Sequence, residues 1–166
     1  MIYPFNAAET FKIAISIEVN GQKFYQEAAK KFAPSAASDL FTRLAKEEDV
    51  HRSLFQKMLD SLPPQEDGGV YDPDNEIGQY LTMMAGLHVF ERDPQKVEKL
   101  LATVKDAKGA LELAMGSEKE SIAFYVQLKA LSAELADQIQ VDKLIAEESR
   151  HLRVLAKEYN KLFNAS

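Results

Sequence analysis

The chain has 166 residues, of which 46% are hydrophobic, carries a formal charge of −6 and contains no cysteine. That length suits one domain with a buried core, and the acidic balance with scattered lysines and arginines argues against nucleic acid as a main partner, because phosphate binding wants a basic face. Without cysteine there is no disulfide, thiolate zinc site, iron–sulfur cluster or cysteine nucleophile, so any metal must be held by Glu, Asp and His.

The opening stretch, MIYPFNAAETF, lacks the basic start and continuous apolar run of a signal peptide. No later apolar run approaches the ~20 residues of a membrane span. A cytoplasmic protein with no membrane partner is the expectation. Asn6 and Glu9 form a capping box that opens a helix over about 7–31. In it Phe11, Ala14, Ile15, Gly21, Tyr25, Ala28, Ala29 and Phe32 recur with the 3.6-residue period. Pro34 breaks it. A second helix over about 36–61 presents Leu40, Leu44, Phe55, Met58 and Leu62 on one face, and PPQEDGG at 63–69 stops it. Residues 63–106 form a long, partly helical connection: about 75–90, then a short helix with Asp93 as N-cap and Pro94 at its first position. Asp106 precedes a third long helix, about 107–130, and the fourth runs over about 133–163.

No alternating strand pattern occurs. Helices of about 25 residues are about 38 Å long. The short links make each consecutive pair an antiparallel hairpin, and the long connection can cross the length of a bundle. The sequence therefore predicts an all-α, single-domain chain over 1–166: a four-helix bundle with one long crossover, the ferritin-like topology.

Sliding the chain by 100 residues superposes its halves. Glu18 falls on Glu118, Phe24 and Tyr25 on Phe124 and Tyr125, and Leu44 on Leu144. Glu47, Glu48 and His51 fall on Glu147, Glu148 and His151. Such a period marks duplicated halves. Residues three or four apart share a helix face. Glu48 and His51 therefore project with Leu44 and Phe55, and Glu148 and His151 with Leu144 and Leu155. Glu18 lies in the stripe of Phe11, Ile15 and Tyr25; Glu118 lies in that of Leu111, Met115, Ile122 and Tyr125. All six groups point where the apolar stripes point, which is inward.

Four buried carboxylates repel one another, and burying each without a partner costs several kcal/mol or more. Four Glu supply −4 and two neutral His nothing, so two divalent cations make the cluster neutral. With 16 Glu in the chain, a given His has about one chance in ten of a Glu three places before it, so a single Glu-x-x-His is weak. Two in register, each with an inward Glu thirty residues upstream, are a strong signal. One Glu from each of two helices plus Glu-x-x-His from each of the other two is the ligand set of di-iron and di-manganese bundles. Carboxylate with imidazole suits iron, manganese or zinc, and spacing does not choose among them.

The remaining polar residues are read more plainly. Glu47 and Glu147 lie about 100° around the helix from their neighbours, on a flank expected to be solvated or to form surface pairs. Glu27, Glu112 and Glu120 are off the inward face. Asp49 and Asp142 are candidates to support the imidazoles across the bundle. Tyr25 and Tyr125 follow their Glu by seven residues and serve either as core aromatics or as hydrogen-bond donors to a ligand carboxylate. His88 lacks the motif, sits in the crossover among Leu87, Val89 and Phe90, and is read as a packed histidine.

The segments IEVNGQKFYQEAA, AKEEDVHRSLF, SEKESIAFYVQL and IAEESRHLRVL, in that order, resemble the rubrerythrin branch of the ferritin-like superfamily over nearly the whole chain. The resemblance implies that Glu18, Glu48, His51, Glu118, Glu148 and His151 are di-iron ligands, with Glu48 and Glu148 bridging and Glu18 and Glu118 terminal. Two features depart from that family. Rubrerythrins carry a rubredoxin-like domain with cysteine-bound iron, and nothing in these 166 residues matches it. They also carry an extra Glu one turn away on the third long helix, where this chain has Met115 and Ser121. The likeness is closer to short rubrerythrin-like proteins.

The function this implies is reduction of hydrogen peroxide, or activation of oxygen, at a two-iron centre fed by a separate electron carrier such as rubredoxin. The alternative is an iron-binding, ferroxidase or storage protein without peroxidase turnover; a third reading has the metals only hold the bundle together or report iron. A homodimer is the expected assembly.

Overall fold

The computed structural model describes residues 7–62, 76–87, 94–131 and 135–163. These form six helices: α1 (Ala7–Lys31), α2 (Ala36–Asp60), α3 (Glu76–Leu87), α4 (Pro94–Thr103), α5 (Ala107–Leu131) and α6 (Leu135–Phe163). Among the described residues there is no strand. The expected Asn6 cap, the Asp93 cap and His88 lie outside the described residues.

Local chemistry sets the helix starts. Ser35 caps α2: its Oγ accepts from the Ser38 amide at 3.1 Å, which satisfies one of the amides a helix start leaves unpaired. Ser38 Oγ in turn donates to the Ala29 carbonyl at 2.7 Å and ties the start of α2 to the end of α1. Asp106 opens α5, its Oδ1 accepting from the Gly109 amide at 2.8 Å. Lys31 holds the crossover down, because its ammonium donates to the carbonyls of Leu101 and Val104, both at 2.7 Å, at the end of α4. A cation suits that place, where carbonyls lack helical partners.

α1 packs along α2, and α5 along α6. The two hairpins meet through α1 against α5 and α2 against α6, while α4 lies on α1, and α3 touches α1 and α5. Neighbours on so many sides make the buried stripe of α1 wider than the sequence periodicity implies: Ile13, Ile17 and Phe24 are buried as well.

The core falls into two apolar layers. One joins Tyr25, Phe41, Leu44, Leu111 and Leu155 with Val97 and Leu101 of the crossover. The other joins Phe11, Ile17, Phe55, Tyr125, Val141 and Leu144. Each large side chain taken out of water contributes about 1.5–3 kcal/mol. Along every long helix the cluster residues lie between a residue of one layer and a residue of the other: Glu18 between Ile17 and Phe24, and His151 between Leu144 and Leu155. The fold thus closes a polar chamber above and below with hydrocarbon. None of the described helices is long and apolar enough to cross a membrane.

Candidate metal centre

Glu18, Glu48, His51, Glu118, Glu148 and His151 are all buried, each at most 5% exposed. The structure brings all six together. They fall into two overlapping sets: Glu18, Glu48, His51 and Glu148, and Glu48, Glu118, Glu148 and His151. Within each set, one ligand atom per residue lies within 4.8 Å of the others. Glu48 and Glu148 belong to both sets, while Glu18 and Glu118 belong to one each.

Both imidazoles turn Nδ1 inward. His51 Nδ1 lies 2.8 Å from Glu148, 3.6 Å from Glu18 and 3.8 Å from Glu48. His151 Nδ1 lies 3.1 Å from Glu148, 3.4 Å from Glu48 and 3.5 Å from Glu118. The rings stack with centroids 5.3 Å apart and planes inclined by 19°. Helix register explains the pairing: Glu and His three apart share a face, and α2 and α6 turn these faces toward each other.

The outward ring nitrogens add to the sequence reading of Glu47 and Glu147, whose side chains are 35% and 50% exposed. His51 Nε2 donates to Glu147 at 2.7 Å, and His151 Nε2 donates to Glu47 at 2.7 Å. Arg150 also donates to Glu47. The flank that a single helix presents to water is here the seam between α2 and α6, so each carboxylate reaches across to the other half's imidazole. With Nε2 donating outward, Nδ1 is the nitrogen that faces the cluster, and it offers its lone pair there once its proton is lost. The candidate supports Asp49 and Asp142 are engaged elsewhere: Asp49 pairs with Arg52 at 3.0 Å and Asp142 with Lys129 at 2.7 Å. Glu27 pairs with Lys30, and Glu112 accepts from the Tyr159 hydroxyl. The signal for Glu47 and Glu147 lay in the repeat, since both recur at the same offset as the cluster residues.

The tyrosines also cross between halves. Tyr25 donates its hydroxyl to Glu118, and Tyr125 donates to Glu18. Both are core aromatics and donors at once: Tyr25 stacks on Phe41 at 5.9 Å, and Tyr125 tilts against Phe55 at 5.1 Å. Burial first, and then the facing carboxylate, raise both phenols well above their usual range, so each remains a donor.

The cluster's own protonation follows from crowding. Burial, then the charges of Glu148 and Glu18, push Glu48 well up; burial, then Glu148, push Glu118 up to about 8. Burial opposes charge on His51, but Glu148 and Glu18 outweigh it and push the imidazole up to about 12. His151 moves the same way under Glu118, Glu148 and Glu48. Burial also opposes charge on Glu148, yet the two imidazoles hold it well below the carboxylate range. Burial likewise works against Glu47, and the bonds from Arg150 and His151 outweigh it to lower its pKa.

The donor set fits two cations. Glu18 Oε2, both Glu148 oxygens and both Nδ1 atoms are buried with no hydrogen-bond partner among the described residues. Short separations without hydrogen-bond alignment mean that these atoms converge on shared space rather than satisfy each other. Buried polar atoms are rarely left so, and carboxylate with imidazole is a donor set for first-row divalent metals.

A helical bundle with two four-residue ligand sets sharing two carboxylates defines the ferritin-like diiron-carboxylate class, and the cluster fits di-iron binding. The sequence model of the rubrerythrin family, described as "Rubrerythrin", matches residues 9–159, and the chain belongs to that family. Among solved structures, the fold is similar to a Thermotoga maritima protein described as ferritin-like and diiron-carboxylate. The match has a TM-score of 0.64 at 24% identity and covers 96% of this chain and 98% of the other. No curated protein matches.

Proposed function

We propose that this chain binds two iron ions through Glu18, Glu48, His51, Glu118, Glu148 and His151, and reduces hydrogen peroxide to water with electrons from a separate carrier such as rubredoxin. The observation that carries this reading is the sharing of Glu48 and Glu148 between two otherwise separate ligand sets. Two irons bound there supply two electrons, one each, which with two protons is what breaking an O–O bond into two waters requires.

The chain's own residues do the rest. Tyr25 and Tyr125 hold the two unshared carboxylates in place. Glu47 and Glu147 hold the imidazoles. The aromatic layers on either side keep bulk water from the chamber, which strengthens every charge interaction inside it. Manganese or zinc would occupy the same donors, but zinc supplies no electrons.

Rapid mixing of reduced, iron-loaded protein with peroxide tests the reading: oxidation should be at least a hundredfold faster than that of free ferrous ion. Equal rates would overturn it and leave iron binding, ferroxidation or storage. Storage also requires a hollow assembly, and size-exclusion chromatography separates it from the proposed homodimer.

A further inference from the structure

The duplicated halves differ beside one shared carboxylate. Gly21 sits in the middle of α1, one turn after Glu18 and buried. Glycine inside a helix is destabilising relative to alanine, so it calls for a reason. The usual reasons fail here. No described glycine has a positive φ, and the atoms nearest a Cβ here are side-chain atoms rather than backbone. The three atoms nearest a Cβ at this position all belong to the Glu48 side chain: Oε2 at 3.5 Å, Cδ at 3.6 Å and Cγ at 3.8 Å. Those are ordinary contact distances, so an alanine fits the resting structure. What the missing methyl provides is room next to Glu48. With a methyl there, Oε2 at 3.5 Å reaches the 3.0 Å limit of Cβ contacts after about 0.5 Å of travel toward α1. The equivalent residue of the second half is Ser121, also buried, so the duplicated position carries extra atoms there.

We propose that Gly21 is the clearance into which Glu48 swings, which makes Glu48 the shared carboxylate that changes its binding and opens a position for a small anionic ligand. Glu148 is the fixed one. Its half carries Ser121 where the first half has Gly21, and its oxygens lie closest to both imidazoles, at 2.8 and 3.1 Å. Gly21 itself touches neither the anion nor a metal and acts only through Glu48. This inference rests on the two-metal reading of the cluster and does not depend on peroxide turnover.

Cobalt(II) and azide test it, since cobalt absorption bands report coordination number and azide takes an open metal position. The wild-type chain should take two cobalt ions and shift its visible spectrum on azide addition. Gly21→Ala should keep two cobalt ions and the same azide-free spectrum, while its azide affinity falls at least tenfold. Its metal-free form should melt about 1–4 °C higher, the return on replacing a mid-helix glycine in a chain of this size. Gly21→Ser, which copies the second half, should lose azide in the same way. Azide affinity within twofold of wild type in both variants overturns the proposal, as does a wild-type chain that binds two cobalt ions and ignores azide. Loss of cobalt from Gly21→Ala also overturns it, by showing that the glycine shapes the resting site. A wild-type chain that takes no cobalt sinks the two-metal reading and this proposal together, whereas absent peroxide turnover leaves it standing.

Discussion

The α1–α2 hairpin and the α5–α6 hairpin place the same groups around the cluster: a single Glu, a Glu-x-x-His, a crossing Tyr and a crossing Glu. Even the apolar layers are images of each other, Tyr25 with Leu44, Leu111 and Leu155 in one, and Tyr125 with Leu144, Phe11 and Phe55 in the other. The halves part company just outside this shell. Arg150, which pairs with Glu47, has Val50 as its counterpart, 65% exposed, and Ser121 has Gly21. Duplication is therefore kept where two cations would need equal coordination and dropped where only one position gains from it.

The comparison breaks most visibly at the shared carboxylates. Glu48→Ala and Glu148→Ala should each reduce bound metal from two ions toward none, whereas Glu18→Ala and Glu118→Ala should each leave one. His51→Ala should lose its ion without loss of helicity. Elemental analysis with circular dichroism reads all of these. At free metal a thousand times Kd, each lost ion removes about 4 kcal/mol of stability. In the metal-free protein the sign reverses at Glu48. Burial and two like charges raise its pKa, so Glu48→Gln should raise the metal-free melting temperature. A fall would show that the carboxylates do not repel as argued.

Next in size are the carboxylates outside the imidazoles. Glu47→Gln and Glu147→Gln should each weaken one position about 10–100-fold in a chelator competition, the usual cost of losing such a support. Equal losses would mean that Arg150 adds nothing. Arg150→Ala should then bring the Glu47 side to the behaviour of the Glu147 side, whose carboxylate is 50% exposed and bonds only His51 among the described residues. Acidity provides a comparable lever. His51 at about 12 and Glu118 at about 8 hold protons at neutral pH when no cation competes. A metal must displace them, so affinity should rise with pH by about tenfold per unit for each proton released. Affinity that stays flat between about pH 6 and 8 would mean that the cluster binds without deprotonating.

Smaller again, Tyr25→Phe and Tyr125→Phe each remove one buried bond to a carboxylate, at a cost of about 1.5–3 kcal/mol in the loaded protein. The repeat predicts equal losses. Unequal melting shifts would show that one unshared carboxylate matters more than its image.

How much of this the sequence discloses depends on how far each contact reaches. The long helices and the inward face of the six cluster residues follow from a 3.6-residue period, which is a property of one helix. The Glu-x-x-His pairs are local too. Glu147 with His51 and Tyr25 with Glu118 are partners 96 and 93 residues apart, and they depend on how α2 rotates against α6 and α1 against α5. No single-helix projection contains that rotation, so Glu47 and Glu147 read as solvated flank. Asp49 and Asp142, near the imidazoles on a projection, find cations along or beside their own hairpin instead. The repeat marked residues that converge without saying what they touch.

The smallest expected effect concerns how each hairpin is tied, where the halves use different chemistry at matching positions. The carbonyl of Ala29 accepts a buried bond from Ser38 at 2.7 Å. Its counterpart Lys129 reaches Asp142 at 2.7 Å, with side chains 38% and 53% exposed. A buried neutral bond contributes about 1 kcal/mol, and an exposed ion pair about 0.2–1 kcal/mol. Urea unfolding should therefore rank Ser38→Ala as more destabilising than Lys129→Ala. Salt separates the two causes. At 1 M the screening length falls to about 3 Å, so the Lys129→Ala effect should shrink while that of Ser38→Ala persists. A salt-insensitive loss at Lys129 would mean that packing of its methylenes does the holding rather than its charge.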